Sequence, residues 1–190
     1  MDMKELWDKP QKRVWLAIVG SSTLILAAAY AMAQQTTRQA ADDLPLATAQ
    51  TIKHELDDKA APTDVVPNVK TDLNSDSTVF AIVTDNSQHI LASSARLDGK
   101  TPLPPIGVFQ FTAAHGNDHF TWQPATNVRL ATQVLSYGTS SNGGFIITGQ
   151  SLKQAEKRID TYTVLAAAAW IAIVGWGFLI LMAPSPKKKK

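Results

Sequence analysis

Two closely spaced histidines are the side chains of this sequence whose types could bind a metal ion. His115 and His119 flank Gly116, Asn117 and Asp118, so the segment reads His-x-x-Asp-His. Helical zinc motifs place their histidines on one helix face, whereas this pattern spans a predicted helix end and strand start. We therefore favour a solvated turn over a metal site. The sequence has no cysteine, which excludes disulfides and thiol chemistry, and we expect no cofactor.

A second group of side chains could suggest nucleophilic catalysis. Ser87, Ser93 and Ser94 lie near His89 in the sequence, and Asp85 precedes them. No nucleophile-elbow glycine pattern surrounds these serines, and Asp85 is a common turn residue. No glycine-rich phosphate loop occurs either. We therefore expect no enzymatic activity from this sequence, and a membrane-anchored hydrolase is a remote alternative.

The strongest candidates for ligand binding lie on two neighbouring predicted strands. Phe120 and Trp122 belong to one strand and Arg129 to the next. An arginine beside an aromatic ring could hold a carboxylate or another organic anion. The alternative is that Trp122 belongs to the core and Arg129 is a surface cation.

These residues lie in a central section, 34–160, that predicts an α+β domain. Asp42 or Asp43 could cap a helix, and Pro45 suits its first turn. Apolar residues then recur at helical spacing, at Leu46, Ala49, Ile52, Leu56 and Ala60. Residues 62–77 read as a loop, and residues 106–114 as a short helix. Strands are predicted at 78–84, 89–95, 119–123, 128–137 and 144–150. We expect a five-stranded antiparallel sheet with helices on one face.

The central section is bounded by two uncharged apolar stretches, residues 14–33 and 164–183. A helix rises about 1.5 Å per residue, so about twenty residues cross a bilayer core of about 30 Å. Core helices seldom run this long without a polar face. Both stretches therefore predict transmembrane helices, with the lipid bilayer as a partner.

Basic residues beyond both stretches predict the orientation. Lys4, Lys9, Lys12 and Arg13 lie in the tail 1–13, and four lysines end the tail 184–190. The positive-inside rule then places both termini in the cytoplasm and the central section outside the plasma membrane. Because the basic residues concentrate in the tails, the sequence gives no reason to expect nucleic-acid binding.

Two further patterns concern the membrane segments. Ala31-Met32-Ala33 resembles a signal-peptidase site, but the apolar stretch is longer than a signal peptide needs, which favours a retained anchor. The exit segment begins with Ser151 and Gln154 as a capping box, and it predicts one unbroken helix from Leu152 into the membrane. Small residues at four-residue spacing in both spans permit helix contacts and a homodimer.

The order of elements resembles that of PAS-like (PDC or Cache-type) extracytoplasmic sensor domains of bacterial two-component sensor kinases. The resemblance covers residues 14–183: a membrane helix, a long helix, two strands, a crossing segment, three strands and a returning helix. The segments 81–94, 121–131 and 149–158 are similar in local sequence, although Ser87 or Gln88 replaces an expected turn glycine. The resemblance implies a ligand pocket between the sheet and its helices, where Phe120, Trp122 and Arg129 would lie.

The resemblance does not extend to a kinase output. No phospho-acceptor helix or nucleotide-binding domain follows the second span, so we expect no kinase activity. The sequence therefore predicts a non-catalytic sensor-like or regulatory membrane protein that signals laterally, as a homodimer or to a membrane partner such as a kinase. The alternative is a structural or accessory subunit of a membrane complex without a small-molecule ligand.

Overall fold

The computed structural model describes residues 10–139 and 142–182, and the chain divides into two units. The sheet unit comprises Thr37–Lys157, and the helical unit comprises Met1–Thr36 with Arg158–Lys190. Most of the predicted basic tails, and Ala183 at the end of the second apolar stretch, lie outside the described residues.

Five antiparallel strands form the main sheet of the sheet unit: β2 (Phe80–Asp85), β3 (Ile90–Ser93), β5 (Asn117–Ala125), β6 (Val128–Gly138) and β7 (Gly143–Ser151). Their spatial order is β3-β2-β7-β6-β5, so the last strand of the sequence lies at the centre. The predicted five-stranded antiparallel sheet is confirmed, and four of its strands match the predicted segments apart from their ends.

The predicted strand 89–95 is interrupted at Ser94, which is fully buried. The Ser94 N–H donates to the Ala81 carbonyl at 2.8 Å, and its hydroxyl accepts from the Ala81 N–H at 2.9 Å. A short strand β4 (Ala95–Arg96) then pairs in parallel with β1 (Thr71–Asp72). The prediction of a loop over 62–77 was therefore wrong in part, because this region also contains a short helix, α2 (Pro62–Val65).

Both faces of the sheet are covered, so the expectation of helices on one face was wrong. The back face packs against the first helix, through a core of Ala49, Ile52, Val66, Ala81, Val83, Leu135 and Ile146. The front face packs against α3 (Ile106–His115), through a core of Leu73, Phe80, Ile82, Ala95, Leu97, Phe109, Trp122, Val128, Leu130, Val134, Phe145 and Ile147. The sequence did indicate a sheet covered on both faces. Strands that are buried on both sides have continuous apolar runs, and β2 and β7 have such runs.

The first helix, α1 (Pro10–Asp57), has 48 residues and continues through Pro45. The predicted new start at Asp42 or Asp43 was therefore wrong. A proline inside a helix has no N–H for the carbonyl four residues earlier, here that of Ala41. Gln150 of β7 supplies the missing donor, because its Nε2 donates to the Ala41 carbonyl at 2.9 Å. Thr148 Oγ1 also donates to the Pro45 carbonyl at 2.8 Å. Hydrogen bonds from the sheet thus stabilise a helix that its own sequence would interrupt.

The last helix, α4 (Lys153–Met182), follows β7 after one residue and has 30 residues. The Ser151 hydroxyl accepts from the Lys153 N–H at 3.3 Å, which agrees with a capping role for Ser151. The predicted unbroken exit helix is confirmed to within one residue at its start.

In the helical unit, described side chains at the beginning of α1 contact the end of α4. Trp170 Nε1 donates to Thr23 Oγ1 at 2.8 Å, and the Tyr30 and Thr163 hydroxyls are 2.8 Å apart. A Cβ at Gly177 would lie 2.6 Å from the Trp15 ring nitrogen, so this glycine lies directly against the indole. Residue numbers fall along one helix as they rise along the other, so the two segments are antiparallel.

Within the described residues, two helices are long and apolar enough to cross a membrane, Arg13–Asp57 and Lys153–Leu179. None of the most apolar window of either helix is buried inside the protein. Large side chains such as Leu24 (73 % exposed) and Trp176 (70 % exposed) project outward from them. A core helix of a soluble protein would bury such residues, and their exposure is compatible with membrane-spanning helices.

Candidate functional site

The three predicted ligand-binding residues lie on two different faces of the sheet. Phe120 pairs with Thr132 and Trp122 with Leu130, so both aromatic side chains belong to the front face. Trp122 is 7 % exposed and belongs to the front core, where the half-buried Phe120 packs against it. Because neighbouring residues of a strand point to opposite faces, Arg129 belongs to the back face.

Arg129 lies where the sheet meets the exit helix. Its guanidinium donates to Glu156 of α4 at 2.6 Å, and both side chains are about half exposed. Its carbonyl accepts from the Leu152 N–H at 2.8 Å. The residue therefore holds the first turn of α4 to β6 through both its backbone and its side chain. The structure brings Phe120 and Trp122 together and keeps Arg129 away from them, and a ligand role for each stays a prediction.

A polar groove lies beside the edge strand β3 and was missed in the sequence. It has a volume of about 240 Å³ and is lined by Thr63, Val66, Pro67, Asn68, Lys70, Ala92 and Ser93. Lys70 is its one cation, and its Nζ donates to the Ser93 carbonyl. The sequence predicts these residues only as part of, or next to, a loop bounded by prolines. The groove forms because α2 and the segment after it lie beside β3.

The histidine pattern does not form a metal site among the described residues. No group of three or more histidine, aspartate or glutamate side chains in residues 10–139 and 142–182 could hold a metal ion. His115 stacks on Phe111, with ring centroids 4.1 Å apart, and its Nδ1 lies 2.9 Å from the Phe111 carbonyl. His119 is exposed on β5 and interacts electrostatically with Asp42 of α1. The predicted turn is reduced to Gly116 between α3 and β5, and the absence of a metal site stays a prediction.

The serine cluster has backbone partners. The Ser93 hydroxyl accepts from the Ala95 N–H at 3.0 Å, and the Ser94 hydroxyl accepts from the Ala81 N–H. His89 Nδ1 pairs with Asp85 Oδ2 at 2.9 Å, and this hydrogen bond holds the pKa of the Asp85 carboxyl below its ordinary range. These contacts close the β2–β3 turn, where Gln88 adopts a positive φ of 67°. The absence of enzymatic activity stays a prediction.

Asp42 is a titratable group of the sheet unit whose pKa is changed by burial. Partial burial raises the pKa of the Asp42 carboxyl, and the neighbouring Asp43 adds to this effect. The positive charge of His119 on β5 acts in the opposite direction. The carboxyl therefore lies where α1 crosses the β5 side of the sheet.

The helical unit contains a directed chain of hydrogen bonds between its two segments. Gln34 Nε2 donates to the Tyr30 hydroxyl at 2.7 Å, and the Thr163 hydroxyl donates to the Ile159 carbonyl at 2.8 Å. Since Thr163 uses its proton in that bond, Tyr30 donates to Thr163. Polar side chains that pair in this way can hold helices together at or within a bilayer.

The fold and these sites stand without a matching relative. No family model, no curated protein and no solved structure matches this chain.

Proposed function

We propose that this chain is a two-pass membrane protein whose sheet unit lies outside the plasma membrane and acts as a non-catalytic sensor or regulator. It binds a small organic anion, passes a shift of the sheet into α4, and signals laterally to a second membrane protein. The two exposed apolar helices support the membrane assignment. The basic residues beyond both spans support a cytoplasmic position for both termini.

The observation that carries the proposal is the direct connection between the central strand and the exit helix. Only Leu152 separates β7 from α4, and the contacts of Arg129 attach the first turn of α4 to β6. A ligand that favours one arrangement of the sheet therefore acts on a helix whose start cannot move independently. The size of the response is limited by the difference in ligand affinity between the two arrangements.

The groove beside β3 supplies the ligand site of the proposal. Lys70 can exchange its bond to the Ser93 carbonyl for a charge-assisted bond to a carboxylate, which is the stronger interaction. The order of helices and strands also supports a sensor role, since it is the plan of the PAS-like sensor domains that the sequence resembles.

Thermal unfolding of the full chain in nanodiscs tests ligand binding. The chain is screened against small carboxylates and amino acids, and a hit should stabilise the wild type in a concentration-dependent manner. The matched variant Lys70→Met keeps the length of the side chain and removes its charge, so it should lose the stabilisation. No stabilisation by any ligand, together with a membrane protein captured by crosslinking, would instead favour the accessory-subunit alternative.

Transmission is tested with a spin label at Asp160→Cys, which is a unique thiol because the chain has no cysteine. Ligand should change the mobility of this label in the wild-type background. Arg129→Glu should abolish the change, and Arg129→Glu with Glu156→Arg should restore it, because the charge swap rebuilds the ion pair. An exposed ion pair contributes at most about 1 kcal/mol to stability, so folding should be unaffected. An unchanged response in Arg129→Glu would refute this route.

A further inference from the structure

Helix α3 has an apolar face that the described part of the chain leaves uncovered. Its inner side contacts the front core through Phe109, while Ile106 and Phe111 are 62 % and 48 % exposed. Gly107 and Ala114 are also exposed. No residue of α3 carries a permanent charge. A helix that is apolar around most of its circumference normally has both sides covered.

We propose that this face, defined by Ile106, Gly107, Gln110, Phe111 and Ala114, is the contact through which two copies of the chain dimerise. The partner is a second copy of the chain, because this face on one copy is complementary to the same face on another. In an antiparallel helix pair related by a two-fold axis near Gln110, Gly107 of each copy lies opposite Ala114 of the other. Both positions are small, so the helices can approach closely, as ridge-into-groove packing requires.

The residue near the axis also suits a self-contact. An amide side chain carries both donors and an acceptor, so Gln110 can pair with Gln110 of the second copy. Ile106 and Phe111 lie on opposite flanks of the face, where they cover the central contact with apolar surface. The face carries no permanently charged side chain, so a partner that binds through ion pairs has none to form there.

Charge is compatible with the same partner. Residues 34–160 contain 10 Lys and Arg against 13 Asp and Glu, a net charge of −3, so two copies carry like net charge. The α3 face is uncharged, and two copies can meet there without opposing like charges. The contact is small against the roughly 1,200–2,000 Å² that stable interfaces bury. The membrane anchoring proposed above offsets this, because it confines both copies to one surface and raises their effective concentration.

Oxidative crosslinking of the full chain in membranes tests the proposal. Gln110→Cys should form a disulfide-linked dimer under mild oxidation, whereas the control Thr126→Cys, exposed at the tip of the β5–β6 hairpin, should remain largely monomeric. In the Gln110→Cys background, Gly107→Glu should lower the dimer yield about tenfold and Gly107→Ala should preserve it. A Cβ at Gly107 meets nothing within 4 Å, so neither variant disturbs the fold.

Three results would overturn the proposal. The first is equal dimer yield for Gln110→Cys and Thr126→Cys, and the second is equal yield for Glu and Ala at position 107. The third is a Gln110→Cys thiol that forms no dimer and resists a water-soluble maleimide in membranes but reacts in detergent, which would assign the face to lipid. None of these readouts depends on ligand binding or signalling, so dimerisation can fail while the sensor proposal stands.

Discussion

Gln150 stabilises helix α1 at Pro45, although the two residues are far apart in the sequence. The proline deprives the Ala41 carbonyl of its helical donor, and the Gln150 amide replaces that donor from the central strand. A proline inside a helix costs about 3 kcal/mol or more when nothing compensates. Because Gln150 is 109 residues from Ala41, local sequence reasoning predicted a helix start at this position.

A double-mutant cycle measures this compensation. Gln150→Leu should destabilise the full chain by about 1–3 kcal/mol, because it leaves a carbonyl without a donor. Pro45→Ala returns an N–H to the helix, so Gln150→Leu should cost clearly less in that background. Denaturant unfolding of the four proteins in the same detergent gives the coupling energy. Additive effects would show that Gln150 does not compensate for the proline.

The burial of Asp42 predicts a pH-dependent stability. Its folded-state pKa is raised above the ordinary value of about 3.8, so folding favours the protonated carboxyl. The ionised form is therefore destabilising at neutral pH, and this destabilisation disappears as the pH falls below the ordinary pKa. Asp42→Asn should unfold at a higher temperature than the wild type at pH 7 and at the same temperature near pH 3. Asp43→Asn is the matched control, and an equal gain in both variants would contradict the role of burial.

At the scale of elements, the register of the two apolar helices depends on a few side chains. Tyr30 meets Thr163, Thr23 meets Trp170 and Trp15 meets Gly177. The three α4 residues are spaced by seven, which keeps one face of the helix toward its neighbour. Small residues and paired polar groups are the features that hold helices together in lipid, where the hydrophobic effect contributes nothing between them.

Gly177 and Gly175 form a matched pair of test positions. A Cβ at Gly177 would collide with the Trp15 ring, whereas a Cβ at Gly175 meets nothing within 4 Å. In a Tyr30→Cys and Thr163→Cys background joined by a short bifunctional maleimide, Gly177→Leu should reduce the crosslink several-fold and Gly175→Leu should not. Thr161→Cys in place of Thr163→Cys is the off-face control. Equal crosslinking in both glycine variants would contradict the register.

At the scale of the whole molecule, the proposed arrangement across the membrane rests on the pattern of charge. The apolar windows of both long helices are unburied, and the basic residues cluster beyond them. A lipid core accepts such helices because each satisfies its own backbone hydrogen bonds. In the proposed arrangement, two spans place both termini on one side of the membrane.

Labelling of single cysteines tests this arrangement. A membrane-impermeant maleimide should label Lys59→Cys in cells whose plasma membrane is intact, and should label Lys12→Cys only after the membrane is opened. Both substitutions replace a lysine, so reactivity differs through position. Labelling of Lys12→Cys in intact cells would invert the proposed topology. A chain that begins at Gln34 by intact-mass measurement would show that the first span is removed.

The sequence by itself determined the features that depend on neighbouring residues. Long apolar runs favour helices, which satisfy their own backbone hydrogen bonds, and alternating or continuous runs of β-branched residues form strands, so both long apolar helices and the five strands of the main sheet were predictable. Tertiary structure decided the features that need partners distant in the chain. Gln150 keeps α1 intact through Pro45, and a helix on each face gives the sheet two cores. The register of the strands separates Arg129 from Trp122, because a side chain's face depends on the pairing of strands that meet only in the folded protein.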